Sequence, residues 1–191
     1  MSFGFSDEVL CIRDAISQAE KKRQNKILFF AAANNDGLNK EEMFPAFLES
    51  VISVRGTRHN GSFVPDYNPE TWPHNYGMKA YGTISQNVPC DWTAGRLKKS
   101  GCSVATTIMA AIAAVIIQFV SCEKAHFNDI ENAQELIRTR RGMLSVFSVM
   151  TDYQKNQTRL YVAPWQLFGN GDDRKGRHKI KYALSNLPPK G

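Results

Sequence analysis

The 191 residues contain four cysteines, Cys11, Cys90, Cys102 and Cys122, and no two form a C-x-x-C pair or stand at zinc-ligand spacing from a histidine. That excludes zinc ribbons, fingers and thioredoxin-type redox motifs. It leaves the expectation of four reduced thiols in a cytoplasmic protein. No run of Lys and Arg interleaves with aromatics, so the groove of a single-strand nucleic-acid binder is lacking. The formal net charge of +6 then reads as solvated side chains. No basic start followed by an apolar stretch opens the chain, which begins Met1-Ser2-Phe3-Gly4-Phe5, so no secretory signal is expected. No apolar run reaches the roughly 20 residues of a membrane span. The longest, Ile108 to Ile117, is rich in Ala and is bounded by Thr106, Thr107 and Gln118, which favours a fully buried core helix over a membrane one. None of the four histidines, His59, His74, His126 and His178, is followed by Gly, and each reads as a surface residue.

What is present suits one globular domain with a sizeable core: 42% of residues are apolar and 22% charged. Residues 1–5 read as a short strand. Ser6-Asp7-Glu8 reads as a helix cap with acidic residues in the first turn, and Val9, Ile12, Ile16 and Ala19 continue at helical spacing to about Arg23. The apolar run Ile27 to Ala33, closed by Asn34-Asn35-Asp36-Gly37, predicts a strand buried on both faces. Val51 to Val54 predicts another. Strand, helix, strand implies a right-handed parallel crossover, hence an α/β fold with a mostly parallel sheet. Asn60 to Lys99 reads as irregular loop. Ser103 to Val120 reads as the buried helix, Glu131 to Met150 as a helical region broken at Gly142, and the polar stretch beyond Trp165 as a poorly ordered basic terminus.

Two segments carry chemistry. Ser100-Gly101-Cys102-Ser103-Val104-Ala105-Thr106-Thr107 puts a hydroxyl where the buried helix begins. Unpaired N–H groups and the positive end of the helix dipole there favour developing negative charge, which suits an acyl-transfer nucleophile. Ala31-Ala32-Ala33-Asn34-Asn35-Asp36-Gly37 puts a carboxamide at the C-terminal end of a parallel strand, where α/β sheets bind ligands. Taken singly, a Ser there is usually a helix cap and an Asn there a turn residue.

Together the two segments resemble the subtilisin-like serine peptidases. The first is similar to that family's G-T-S-x-A-[ST]-P nucleophile motif and the second to its A-A-A-G-N-x-G segment. Met1-Ser2-Phe3-Gly4 resembles the edge strand that pairs with bound peptide. Phe44-Pro45-Ala46 with Val51-Ile52-Ser53-Val54 resembles the family's Y-P-A…V-I-x-V segment. Tyr81-Gly82 to Trp92, Gly142-Met143 and Pro164-Trp165 resemble fungal members. The resemblance implies a partial subtilisin-like fold: residues 1–125 as the C-terminal portion of a peptidase domain, 126–168 as its helical extension and 169–191 as a basic tail. It further implies Ser103 as nucleophile, with Asn35 and the Ser103 N–H as oxyanion donors. Ser2, Phe3 and Gly4 would bind extended substrate, and Ala32, Ala33 and Asn34 would line the primary specificity pocket. A peptide or protein substrate is expected. No cofactor, metal, nucleic acid or membrane is.

Three positions depart from the family pattern. Cys102 replaces Thr before the nucleophile and offers a rival thiol. Thr107 replaces Pro. Asn34 replaces Gly, and its side chain is expected to crowd the pocket. The family's order is Asp, His, Ser, so the D-[ST]-G and H-G-[TS] segments are expected upstream of residue 1, in an N-terminal half of a longer protein. Without a base a serine hydroxyl is a weak nucleophile, and the chain alone is expected to be nearly inactive. The alternative is a non-catalytic binding or regulatory module on a degenerate peptidase scaffold.

Overall fold

The computed structural model describes residues 1–37, 40–69, 79–90, 97–151, 158–169 and 173–187. His74, Trp92, Asn170, Gly171, Pro188 and Pro189 lie outside them.

Helix α1 (Leu10–Lys22) starts later than the Ser6 cap would have it. Its N-cap is Val9, with no side-chain bond, because the Ser6 hydroxyl bonds to Asp7 instead. It ends at Gln24 and Asn25, both left-handed, and Ile16 is its buried residue. Strands β1 (Phe29–Ala32), β2 (Val51–Thr57) and β3 (Ala80–Ile84) follow, then the short antiparallel pair β4 (Val88–Pro89) and β5 (Lys98–Lys99). Next come α2 (Cys102–Cys122), α3 (Ala133–Leu136), α4 (Arg140–Val149), β6 (Arg159–Tyr161), α5 (Trp165–Phe168) and α6 (Asp173–Ser185).

The main sheet runs β1-β2-β3-β6, and all three of its pairings are parallel. Its two faces explain the unbroken apolar runs. Phe30, Ile52, Val54, Tyr81 and Leu160 enter one core with α2, while Ala31 and Val51 meet Ile16 of α1 on the other side. A parallel sheet covered on both faces calls for this pattern. The expected strand at residues 1–5 is reduced to its ends. The α-amine of Met1 donates to the Phe30 carbonyl and the Ala32 N–H to Met1, and Phe5 bridges antiparallel to Phe44.

Four expectations are corrected. The stretch Asn60 to Lys99 contains β3, an inner strand of the sheet. Its Gly82 hid it, and that glycine is required because a β-carbon would lie 2.9 Å from the Phe63 ring and 3.0 Å from the Arg55 carbonyl. Gly142 does not break a helix. It lies within α4, where a β-carbon would collide with the Leu136 carbonyl, and Thr139 caps α4 by accepting the Gly142 N–H. Helix α2 is long and apolar enough to cross a membrane, yet here it packs on the sheet through one face only. Cys102, Ala105, Met109, Ile112 and Ile116 are buried there, and Thr107, Ala111, Ala114, Val115 and Gln118 are exposed. Finally, residues 173–185 of the expected tail form α6, whose Ile180, Ala183 and Leu184 complete the core. The basic residues concealed this, but two of them are paired with acidic partners: Arg177 with Glu123 at 2.8 Å and Lys181 with Asp129 at 2.8 Å.

Candidate active site

Both chemistry-bearing segments end at the same side of the sheet, past the C-terminal ends of β1 and β3. Behind α2, Gly101 N–H donates to the Ser85 carbonyl at 3.0 Å, just beyond β3. The Cys102 thiol is fully buried and faces the Tyr67 carbonyl and Asn68 Oδ1, at 3.6 and 3.3 Å. Asn68 is itself anchored to both backbone groups of Gly56. These contacts pin the first turn of α2 to β2 and β3.

The N-cap of α2 is Gly101, which makes no side-chain cap bond. Ser103 is therefore inside the first turn, and its hydroxyl is not spent on capping. The hydroxyl donates to the Ser2 carbonyl at 3.1 Å. Its other neighbour is Asn35, whose Nδ2 lies 3.5 Å from Ser103 Oγ, at the outer limit of a hydrogen bond. The carboxamide is oriented from its other end: Asn35 Oδ1 accepts the Cys102 N–H at 2.8 Å. Nδ2 must then face the nucleophile. The Ser103 N–H lies in the first turn, where no intrahelical acceptor exists. Hydroxyl and carboxamide donor thus meet at the start of α2, beside a backbone N–H without an intrahelical acceptor, the kinds of group that acyl transfer uses.

Asn34 does not crowd this arrangement. It is buried, its Oδ1 accepts the Asn35 and Asp36 N–H groups, and its Nδ2 donates to the Glu41 carbonyl. Asn34 thus folds the turn that presents Asn35. Thr107 in place of proline donates its hydroxyl to the Ser103 carbonyl at 3.1 Å, so the helix continues uninterrupted. Burial pushes the Cys102 thiol up to about 11. A thiol so placed is neither ionised nor accessible at neutral pH, which removes it as a rival nucleophile.

The structure brings Ser2, Asn35 and Ser103 together. Phe3 is exposed and Gly4 half-buried beside them. Ala32 and Ala33 are in the core, at 5% and 0% exposure. Asn34 lines a cavity of about 300 Å³ shared with Ser6, Asp36, Lys40, Glu41, Glu42, Met43 and Phe47. The loop after Gly37 carries most of that wall, and its polar composition gave no periodic signal. One further structural group escaped the sequence, the buried pair Arg55–Glu42 at 3.2 Å. Among the described residues no histidine or carboxylate is hydrogen-bonded to Ser103.

No curated protein sequence matches the chain. Solved structures do match its fold. The protease domain of PatA, as its S218A mutant, is 21% identical with a TM-score of 0.61, over 90% of this chain and 59% of that one. The prenylagaramide maturation protease PagA is 16% identical with a TM-score of 0.60, over 93% and 58%. The PatG macrocyclase in complex with peptide is 17% identical with a TM-score of 0.60, over 95% and 50%. The chain thus spans about half to three-fifths of these structures and has a partial subtilisin-like fold. The model of the subtilase family matches residues 1–165, and with nearly the whole chain covered, this protein belongs to the subtilase family of serine peptidases.

Proposed function

We propose that the chain is the nucleophile-bearing part of a serine endopeptidase. Ser103 Oγ attacks the scissile carbonyl, and Asn35 Nδ2 with the Ser103 N–H binds the oxyanion. The observation that carries this reading is the bond from Cys102 N–H to Asn35 Oδ1, which fixes the carboxamide with its donor toward Ser103. Donors aimed in advance at developing charge supply much of the rate of acyl transfer. Ser2, Phe3 and Gly4 present backbone beside Ser103 and add a substrate strand by main-chain pairing.

The general base and its carboxylate partner come from an Asp- and His-bearing N-terminal half. Ser103 heads the exposed face of α2 that continues through Thr107, Ala111, Ala114 and Val115, so a segment covering that face reaches the nucleophile. The cytosol is the proposed compartment. The test is hydrolysis of a protein substrate by the chain joined to such a half. Turnover that disappears in Ser103→Ala supports the reading, and turnover that survives it defeats the reading.

A second reading, peptide binding without turnover, is favoured by the Ser103 hydroxyl being donated to the Ser2 carbonyl instead of to a base. Peptide bound by the joined protein with no hydrolysis supports that alternative.

A further inference from the structure

The open cavity beside Asn35 has a composition that selects its occupant. It is walled by Asn34 and Asp36, the two residues flanking the oxyanion donor, and by Lys40, Glu41, Met43 and Phe47. The Met43 N–H donates to the Ala33 carbonyl at 2.9 Å. Its side chain lies against Gly4, where a β-carbon would fall 2.8 Å from Met43 Cβ and 3.0 Å from its sulfur. Met43 therefore spans from the backbone after β1 to the segment expected to pair with substrate. With Phe47 it supplies an apolar wall.

The charges are uneven. Glu42 is buried and engaged by Ser53 and Arg55, so its charge is offset from within. Asp36 and Glu41 are exposed at the cavity, against the single ammonium of Lys40. This excess of carboxylate stands in a chain whose formal net charge is +6. A cavity lined by both apolar side chains and exposed carboxylates matches a long side chain with a methylene stem and a cationic head.

We infer that the cavity receives a lysine or arginine side chain of the bound peptide, with its stem along Met43 and Phe47 and its head at Asp36 and Glu41. This inference rests on the peptidase reading for the identity of the ligand as peptide, but binding tests it without catalysis. Blocked tetrapeptides ending in Arg, Leu or Glu amides are titrated into the chain and followed by amide chemical shifts. The Arg peptide is expected to bind about tenfold more tightly than either other, a difference of the size two charge contacts supply. Shifts are expected at Asp36, Glu41 and Met43. The Asp36→Asn, Glu41→Gln double variant is expected to bring the three affinities together, and 1 M salt to narrow the gap in the unaltered chain. Equal binding of the three peptides, preference for Leu or Glu, shifts confined to another surface, or no binding at millimolar peptide would each overturn the assignment. Failure of the peptidase reading shows elsewhere, as an unlabelled Ser103 in a base-supplied protein, while a selective, correctly placed Arg peptide leaves the cavity assignment standing.

Discussion

A β-carbon on Gly101 would lie 2.9 Å from Oδ1 of Asn35, and Gly101 holds φ at +124°. The absent side chain is what lets the carboxamide close on the first turn of α2. Gly101→Ala is therefore expected to strain the backbone by about 1–3 kcal/mol and to displace Asn35. Denaturant unfolding measures the first effect, and the Asn35 side-chain amide resonances report the second.

Replacement of Asn35 by Ala removes the donor while leaving Ser103 in place. In a base-supplied protein, turnover is expected to fall with little change in KM, because the interaction strengthens only as negative charge develops. The expected size, about 10²–10³-fold, is the loss known for the oxyanion-hole asparagine of subtilisin. Steady-state kinetics on one peptide substrate check it.

Thiol chemistry separates Cys102 from its fellows. Cys11, Cys90 and Cys122 are exposed and Cys102 is buried. Iodoacetamide at neutral pH is expected to alkylate three cysteines in the folded chain and the fourth only in denaturant, as read by peptide mass spectrometry.

The same burial sets an alkaline limit. Cys102 is raised from 9.0 to about 11 by desolvation. The folded state then keeps a proton that the unfolded chain loses, so stability falls as pH rises from about 9 to 11. A shift of this size corresponds to roughly 2–3 kcal/mol. Tyr67 and Tyr81, also raised chiefly by burial, continue the decline above their ordinary value. Urea unfolding across this range in Cys102→Ala is expected to give a shallower slope.

Helix α6 is integral to the core. Ile180 is fully buried, and Ile180→Ala is expected to cost about 2–5 kcal/mol, measured as a shift in the unfolding midpoint at constant slope. A tail outside the core would show almost none.

Much of this was legible beforehand, for identifiable reasons. The run Ile27 to Ala33 announces itself because β1 is covered on both faces, and α2 because its buried stripe of Ala105, Met109, Ile112 and Ile116 recurs at helical spacing on the sheet. The juxtaposition of Ser103 and Asn35 is legible because a hydroxyl at a helix start and a carboxamide at a strand end carry separate local signals. Three things had no local signal. In strand β3 the apolar run is broken at Gly82, whose need arises from Phe63 and Arg55 beside it. The cavity is built by Asp36, Lys40, Glu41 and Met43, polar and irregular in sequence and meaningful only once the turn at Asn34 folds them together. Helix α6 looks like a solvated basic segment until Glu123 and Asp129 are placed beside it.

The identity of the activated hydroxyl is tested most directly by exposing the chain, joined to an Asp- and His-bearing N-terminal half, to a fluorophosphonate and mapping the adduct. A single phosphonylated residue at Ser103, lost when Ser103 is Ala and much slowed when Asn35 is Ala, is the expected result. An adduct on another residue, or none on a folded protein, would contradict the account.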